Sequence, residues 1–388
     1  MRIRLGPVSV AIVLGFCIRV ALAFTNIFFV PLRQSSDAFG YLRKSQEFTG
    51  ADLDEILTLL ASNDTVMVLF GSLMYRVTDQ APVVLGVLMA ILGTSVISLS
   101  YRCALELWGN KRVARAVAWS VALFPQLVLH SALYLREIPV SFCLVAAALC
   151  AVRYVKHNQI NQVVGYFFWI FFGALFHSGV MVAMPALMVG MWTVRPRGGR
   201  GAVTFYITNT VAVLFLAGIL YMANASSVGM DKFGGSLEQA AGTFEKQEMR
   251  DATGGAAYPA WLRVSGGFSD IWKVPFRLAA LLYSPLVPFM IRSPGHLLGA
   301  VDAGLYLYLC RNIYMNWRSV KQNRSALVLL IVMLALYLLF SLGVSNFGTA
   351  IRHRAKMSPL LLVIAAGLPV LRRQARAEYR LKPSKTIV

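Results

Sequence analysis

VVGYFFWIFFGALFHSGVMVAMPALMVGMW, from Val163 to Trp192, is thirty residues without a formally charged side chain, interrupted only at His177-Ser178-Gly179. A helix needs about 20 apolar residues to cross a bilayer. The stretch is too long for one crossing and supplies two short ones. Lys and Arg mark the cytosolic ends of membrane spans, and Arg195, Arg197 and Arg200 follow directly. They fall on the cytosolic side only if His177 marks an outer turn between two short helices. That parity decides for two short spans, and the expected fold is an all-α polytopic membrane protein.

Composition agrees. A chain of 388 residues that is 57% hydrophobic and 14% charged carries more apolar surface than a soluble core can hide. The excess of 37 Lys+Arg over 17 Asp+Glu then reads as cytosolic loops that hold a topology, and no nucleic-acid partner is expected. Cys17, Cys103, Cys143, Cys150 and Cys310 lie in or at the ends of apolar segments, with neither metal-ligand nor disulfide spacing. Arg2, Arg4 and the Ala21-Leu22-Ala23 triplet resemble a cleavable signal, but Arg19 inside the run argues against cleavage. Either reading places residue 30 onward outside the cytoplasm.

Upstream of the uncharged stretch, a first span is expected from Val8 to Phe29, going outward. An extracytoplasmic loop, 30–81, follows, in which Val66 to Tyr75 is apolar but too short to cross and reads as an interfacial helix. The second span, Pro82 to Leu105, returns to a cytosolic turn at Gly109-Asn110-Lys111-Arg112. The third, Ala118 to Leu133, emerges at Arg136-Glu137, and the fourth, Val140 to Val152, ends at Arg153, Lys156 and His157.

Downstream, a seventh span from Val203 to Met222 closes an amino-terminal module, 1–222. A second extracytoplasmic segment, 223–294, contains the proline-broken Arg277 to Ile291, expected to be re-entrant or superficial. The carboxy-terminal part, 295–388, holds spans near Gly295 to Cys310, Ala326 to Val344 and Met357 to Leu371, then a basic cytosolic tail. About ten spans result, with both termini cytosolic. The acidic residues were not used in that construction, yet only Glu106 and Glu378 fall in the cytosol and only Asp302 in a span.

Several residues on the outer side can carry chemistry. Asp37 follows the first span within Ser36-Asp37-Ala38-Phe39-Gly40-Tyr41, with Tyr41 one helical turn on. A carboxylate there can accept a proton from an attacking alcohol, or it can simply cap a helix. Glu137 beside Arg136 is either an orienter, a partner to Asp37 in holding a divalent cation, or half of an Arg-Glu pair at a helix boundary. The metal requirement stays open, and no other cofactor is expected. Asn346 to Lys356 places Arg352, His353 and Arg354 outside, against the positive-inside tendency. Both arginines can offer a planar fork to phosphate oxygens. His177 reads equally as a boundary residue and as a substrate contact. Arg19, costly within a span, is expected to face the bundle and pair with a carbonyl or with Asp302.

The ordered set Arg19, Asp37, Tyr41, then Leu69 to Tyr75, Leu107 to Ala114, Leu123-Phe124-Pro125 and Ser131 to Glu137 resembles the amino-terminal module of GT-C membrane glycosyltransferases. The resemblance implies a polyprenyl-phosphate-linked saccharide as donor and a glycan or lipid as acceptor. It also implies Asp37 as catalytic base, Glu137 as a second acidic residue, and an active site on the extracytoplasmic side of a bacterial inner membrane. The chain departs from the family in its lone Asp37 and in having no evident soluble carboxy-terminal domain. Arg136 through His177-Ser178-Gly179, with Arg352-His353-Arg354, also looks like Wzy- and EpsG-type polysaccharide polymerases, in which arginines hold a lipid pyrophosphate. A transporter of lipid-linked sugars would instead place ionisable groups along a midplane path, where the sequence has little beyond Arg19 and Asp302.

Overall fold

The computed structural model describes residues 7–32, 35–50, 52, 65–194, 210, 256–264, 268–286 and 294–381. The expected seventh span, Val203 to Met222, apart from residue 210, together with part of the first outer loop and most of the second, lies outside the described residues. Within them the chain is helical, with no β-strand beyond an isolated bridge between Ala257 and Asn346. Five helices among the described residues are long and apolar enough to cross a membrane: Val8–Phe28, Pro82–Trp108, Glu137–His157, Arg324–Leu342 and Phe347–Ala377. The protein is an all-α polytopic membrane protein.

We number the helices α1 (Pro7–Phe28), α2 (Ser35–Glu47), α3 (Thr65–Thr78), α4 (Pro82–Trp108), α5 (Lys111–Leu123), α6 (Pro125–His130), α7 (Glu137–His157), α8 (Ile160–Phe176) and α9 (Ala183–Thr193). After the second loop come α10 (Val274–Tyr283), α11 (Pro294–Met315), α12 (Trp317–Gln322), α13 (Arg324–Leu342), α14 (Phe347–Ala365) and α15 (Leu368–Leu381). The uncharged stretch breaks where the sequence suggests. α8 ends at His177, a 3₁₀ turn follows over Ser178–Val182, and α9 runs on to Thr193.

The basic turn between α4 and α5 is built by two adjacent residues. Gly109 takes φ 63°, a left-handed conformation that costs glycine little, and its N–H reaches the Leu105 carbonyl at 2.8 Å. Asn110 then caps α5, its side chain accepting from Arg112 N at 2.9 Å and Val113 N at 3.2 Å.

Two boundaries differ from expectation. The third span is not continuous from Ala118 to Leu133: Pro125 has no N–H to give, Phe124 is extended, and α5 gives way to the short α6. Ser131 to Leu135, without regular structure, is buried in the protein, the condition under which irregular backbone is tolerated at membrane depth. The last span starts ten residues earlier than Met357. Asn346 caps Gly348 N at 2.8 Å and opens α14 at Phe347, so the Arg-His-Arg cluster is helical rather than a loop. α10, the described part of the proline-broken element, is 10 residues long, too short to cross.

α7 is the central helix, packed on α4, α8, α13 and α14. Close approach of α4 to the buried chain before α7 depends on Gly93, where a Cβ would lie 2.5 Å from Ser131 Cβ. Arg19 is fully buried and spends its guanidinium on the carbonyls of Gly15 at 2.9 Å, Ala122 at 3.0 Å and Val121 at 3.3 Å. The carbonyl alternative is the one realised; Asp302 has another partner.

Candidate active site

The site lies where α2, α7 and α14 meet at one end of the bundle. Asp37 sits in the first turn of α2, where the helix dipole favours a negative charge. α2 is held by its other face: Ala38 and Tyr41 are buried in a cluster with Met67, Tyr75, Leu85 and Tyr134. Tyr134 Oη donates to the Met67 carbonyl at 2.5 Å, tying the chain before α7 to α3, and burial raises its phenol above the ordinary range. Helical phase thus puts Tyr41 one turn from Asp37 as expected. Tyr41, which the sequence reading takes as a substrate-binding residue, packs its ring in this buried cluster.

Glu137 opens α7 and is 1% exposed. Burial of a carboxylate requires a paired cation, and Arg352 of α14 supplies it: Nε and Nη2 both lie 2.9 Å from Glu137 Oε1. The same guanidinium extends Nη1 to Asp37 Oδ2. One arginine therefore bridges the two carboxylates. Glu137 Oε2 is buried and accepts no hydrogen bond from the described residues. Ser141 Oγ, 2.9 Å from the Glu137 carbonyl and 3.0 Å from the Lys356 carbonyl, pins α7 to α14 just behind the pair.

A second layer surrounds the bridge. His353 lies edge-on to His177 with ring centroids 5.1 Å apart, and Phe340 touches both, at 4.7 Å from His353 and 5.1 Å from His177. Lys356, one turn from Arg352 and 1% exposed, places Nζ 5.7 Å from the Phe340 ring centre and 3.4 Å from His353 Nδ1. His130, fully buried in α6, feels the charges of Glu137, Arg352 and Lys356. Arg136, half-buried next to Glu137, adds a third cation to its field. Cations thus outnumber carboxylates, Arg136, Arg352 and Lys356 against Asp37 and Glu137, and the site favours an anion.

Asp37, Glu137, Arg136, His177, Arg352 and His353 therefore occupy one region. Arg354 does not, and its assignment as a second phosphate-binding arginine is corrected. It is fully buried on the opposite face of α14, with Nε 2.8 Å from Asp302 Oδ2. Three further donors go to the carbonyls of Leu282 at 3.0 Å, Ser284 at 2.6 Å and Gly299 at 2.8 Å. Four of its five N–H donors are engaged in this way, and the whole side chain is buried away from Asp37 and Glu137. Lys356 and His130 were not singled out from sequence; Lys356 had a signal, its spacing of four from Arg352.

A shared divalent cation does not fit this arrangement. The carboxylates that would hold it are joined by Arg352, and among the described residues no group of three His, Cys, Asp or Glu side chains is arranged to hold a metal.

No family model and no curated protein matches the sequence. Solved structures do. The oligosaccharyltransferase AglB from Archaeoglobus fulgidus, in complex with an inhibitory peptide and a dolichol-phosphate, superposes with a TM-score of 0.56 at 16% identity, covering 96% of this chain and 51% of that one. The same enzyme in complex with Zn and sulfate gives 0.61 at 16% identity, with 97% and 50% covered. ArnT from Cupriavidus metallidurans, bound to undecaprenyl phosphate, gives 0.56 at 12% identity, with 96% and 61% covered. The chain thus spans about half the length of the oligosaccharyltransferase. At such identities the likeness is one of fold: the chain shares the membrane-helical fold of the two enzymes it superposes on.

Proposed function

We propose that the protein transfers a sugar from a polyprenyl-phosphate-linked donor to a glycan or lipid acceptor, on the extracytoplasmic side of a bacterial inner membrane, in cell-envelope polysaccharide or glycolipid assembly. The observation that carries this reading is the Arg352 guanidinium held between Asp37 and Glu137 at the end of a GT-C bundle. The fold neighbours that hold dolichol-phosphate and undecaprenyl phosphate support the donor class.

The acceptor O–H gives its proton to the Asp37 carboxylate while its oxygen bonds to the anomeric carbon. The bond from that carbon to the phosphate oxygen breaks on the opposite face, with inversion, and the electron pair leaves on the lipid phosphate. Arg352 takes up the growing charge. Glu137 is too buried to meet a bulky acceptor and acts by fixing Arg352. The contact between Asp37 and Arg352 gives the cycle an order. A phosphate arriving at Arg352 competes with Asp37 for the same guanidinium, and its binding leaves the carboxylate with a lone pair for the acceptor proton.

The test is Asp37→Asn in membranes supplied with a labelled polyprenyl-linked donor, where turnover should fall by about 10²–10⁴-fold. Parental turnover at normal expression would sink the mechanism. A second reading, a polymerase joining lipid-linked repeat units, draws support from the contact of His177 with His353, which joins the two segments resembling such enzymes. Against it, Arg354 is spent on Asp302, leaving one arginine fewer for a pyrophosphate. Glycan length separates the two: loss of a polymerase leaves single repeat units, whereas loss of a single-sugar transferase removes one residue per glycan.

A further inference from the structure

At the far end of the bundle, 19 residues and about 28 Å along α7 from Glu137, the structure holds a cavity of about 920 Å³ between the α4–α5 turn, the end of α7, the start of α13 and α15. Three cationic side chains line it, Lys156, Arg324 and Arg372, and among the described residues no carboxylate does. Carboxamides make the frame: Asn110 Nδ2 donates to Gln374 Oε1 at 2.8 Å, joining the turn to α15, and Asn323 Nδ2 donates to the Leu107 carbonyl at 2.8 Å, joining the start of α13 to the end of α4. The frame is thus internally satisfied, whereas the charges are not. Arg324 and Arg372 make no hydrogen bond or ion pair among the described residues, and Lys156 reaches only the Glu106 backbone carbonyl. Two planar guanidinium forks over one opening suit a phosphate group. Leu107, Trp108 and Leu371 add an apolar wall at the ends of helices that cross the membrane.

We propose that this pocket binds the phosphate of an anionic membrane lipid, with its headgroup on Arg324 and Arg372 and its glycerol and first acyl carbons against the apolar wall. Basic pockets between transmembrane helices take such headgroups, and the combination of unpaired forks with an apolar wall favours a lipid over a soluble phosphate. The site is separate from the Asp37–Arg352–Glu137 end and does not depend on the reaction assigned there.

The test uses the full chain in phosphatidylcholine nanodiscs, titrated separately with phosphatidylglycerol and with inorganic phosphate while Tm is followed. A ligand that binds only the folded state raises Tm in a saturable way, and phosphatidylglycerol should do so by a few degrees. Arg324→Gln with Arg372→Gln should weaken the response about thirtyfold, the loss of two lipid-facing cations. Arg373→Gln, next in sequence but not lining the cavity, should keep it. Where the double variant does not accumulate, each single substitution reports the same loss in a smaller step. A response to inorganic phosphate alone would overturn the lipid as source and assign the pocket to a soluble phosphate. No response to either, or an equal response in the double variant, would overturn the proposal.

Discussion

Replacing Arg352 by Gln tests the centre of the site, because the structure separates what that residue does for stability from what it does for chemistry. Glu137 is 1% exposed, and its only ion-pair partner among the described residues is Arg352, at 2.9 Å. Arg352→Gln leaves that carboxylate buried without its ion-pair partner, a change that costs about 3–5 kcal/mol when both partners are inside. With 21% of the Arg352 side chain exposed, the expected loss is toward the lower figure, about 3 kcal/mol. Glu137→Gln leaves Arg352 its contact with Asp37, so only the bonds to Oε1 are lost, about 1.5–3 kcal/mol. The double variant carries no buried charge at the pair and should be no less stable than Arg352→Gln alone, which requires a coupling of about 3 kcal/mol, as large as the Glu137→Gln loss. Turnover behaves differently. Arg352→Gln and the double variant should both lose about 10²–10³-fold, the cost of one donor to a developing oxyanion, and restoring stability should not restore rate. Unfolding of purified protein in detergent gives the first quantity, and transfer from a labelled lipid-linked donor the second. Strict additivity of the stability losses would refute the ion-pair argument, and recovered turnover in the double variant would refute Arg352 as the group that meets the phosphate.

Three further outcomes follow from the same physics. Asp302→Asn and Arg354→Gln each break a fully buried pair and should destabilise by about 3–5 kcal/mol, with the donor KM of the folded enzyme unchanged; a raised KM would return Arg354 to the binding site. Gly93→Ala brings a Cβ within 2.5 Å of Ser131 Cβ and should cost about 1–3 kcal/mol through overpacking, seen as a lower Tm. Arg277→Gln strips donors from the carbonyls of Ser341, Leu342 and Val344, at 2.9, 2.9 and 2.7 Å, which end α13 just before α14. It should cost about 1.5–3 kcal/mol and speed amide exchange over residues 342–347 in a deuterium-exchange experiment.

Legibility of the fold followed hydropathy. The two short helices on either side of His177 and the Gly109-Asn110 turn follow from span length and basic ends, since lipid leaves a chain few other arrangements. The site was legible as a set of residues but not as a set of contacts, and Arg352 and Arg354 show why. In an exposed loop, both can face one ligand, and two cations on the outer side read as a pair of phosphate forks. In a helix, residues two apart point about 200° from each other, so α14 must turn one arginine toward α2 and α7 and the other toward α10 and α11. The charge run hid the helix because Arg, His and Lys at a membrane end look like loop residues to any hydropathy rule. The signal that would have exposed it was local, an Asn346 able to cap Gly348. Once the segment is helical, Lys356 must join Arg352 on one face, and Asp302, the one acid that the sequence reading places inside a span, is the partner of the arginine left on the other. The Asp302–Arg354 pair and the Asp37–Arg352–Glu137 bridge therefore lie on two faces of a single helix, and the phase of α14 decides which arginine belongs to the candidate site.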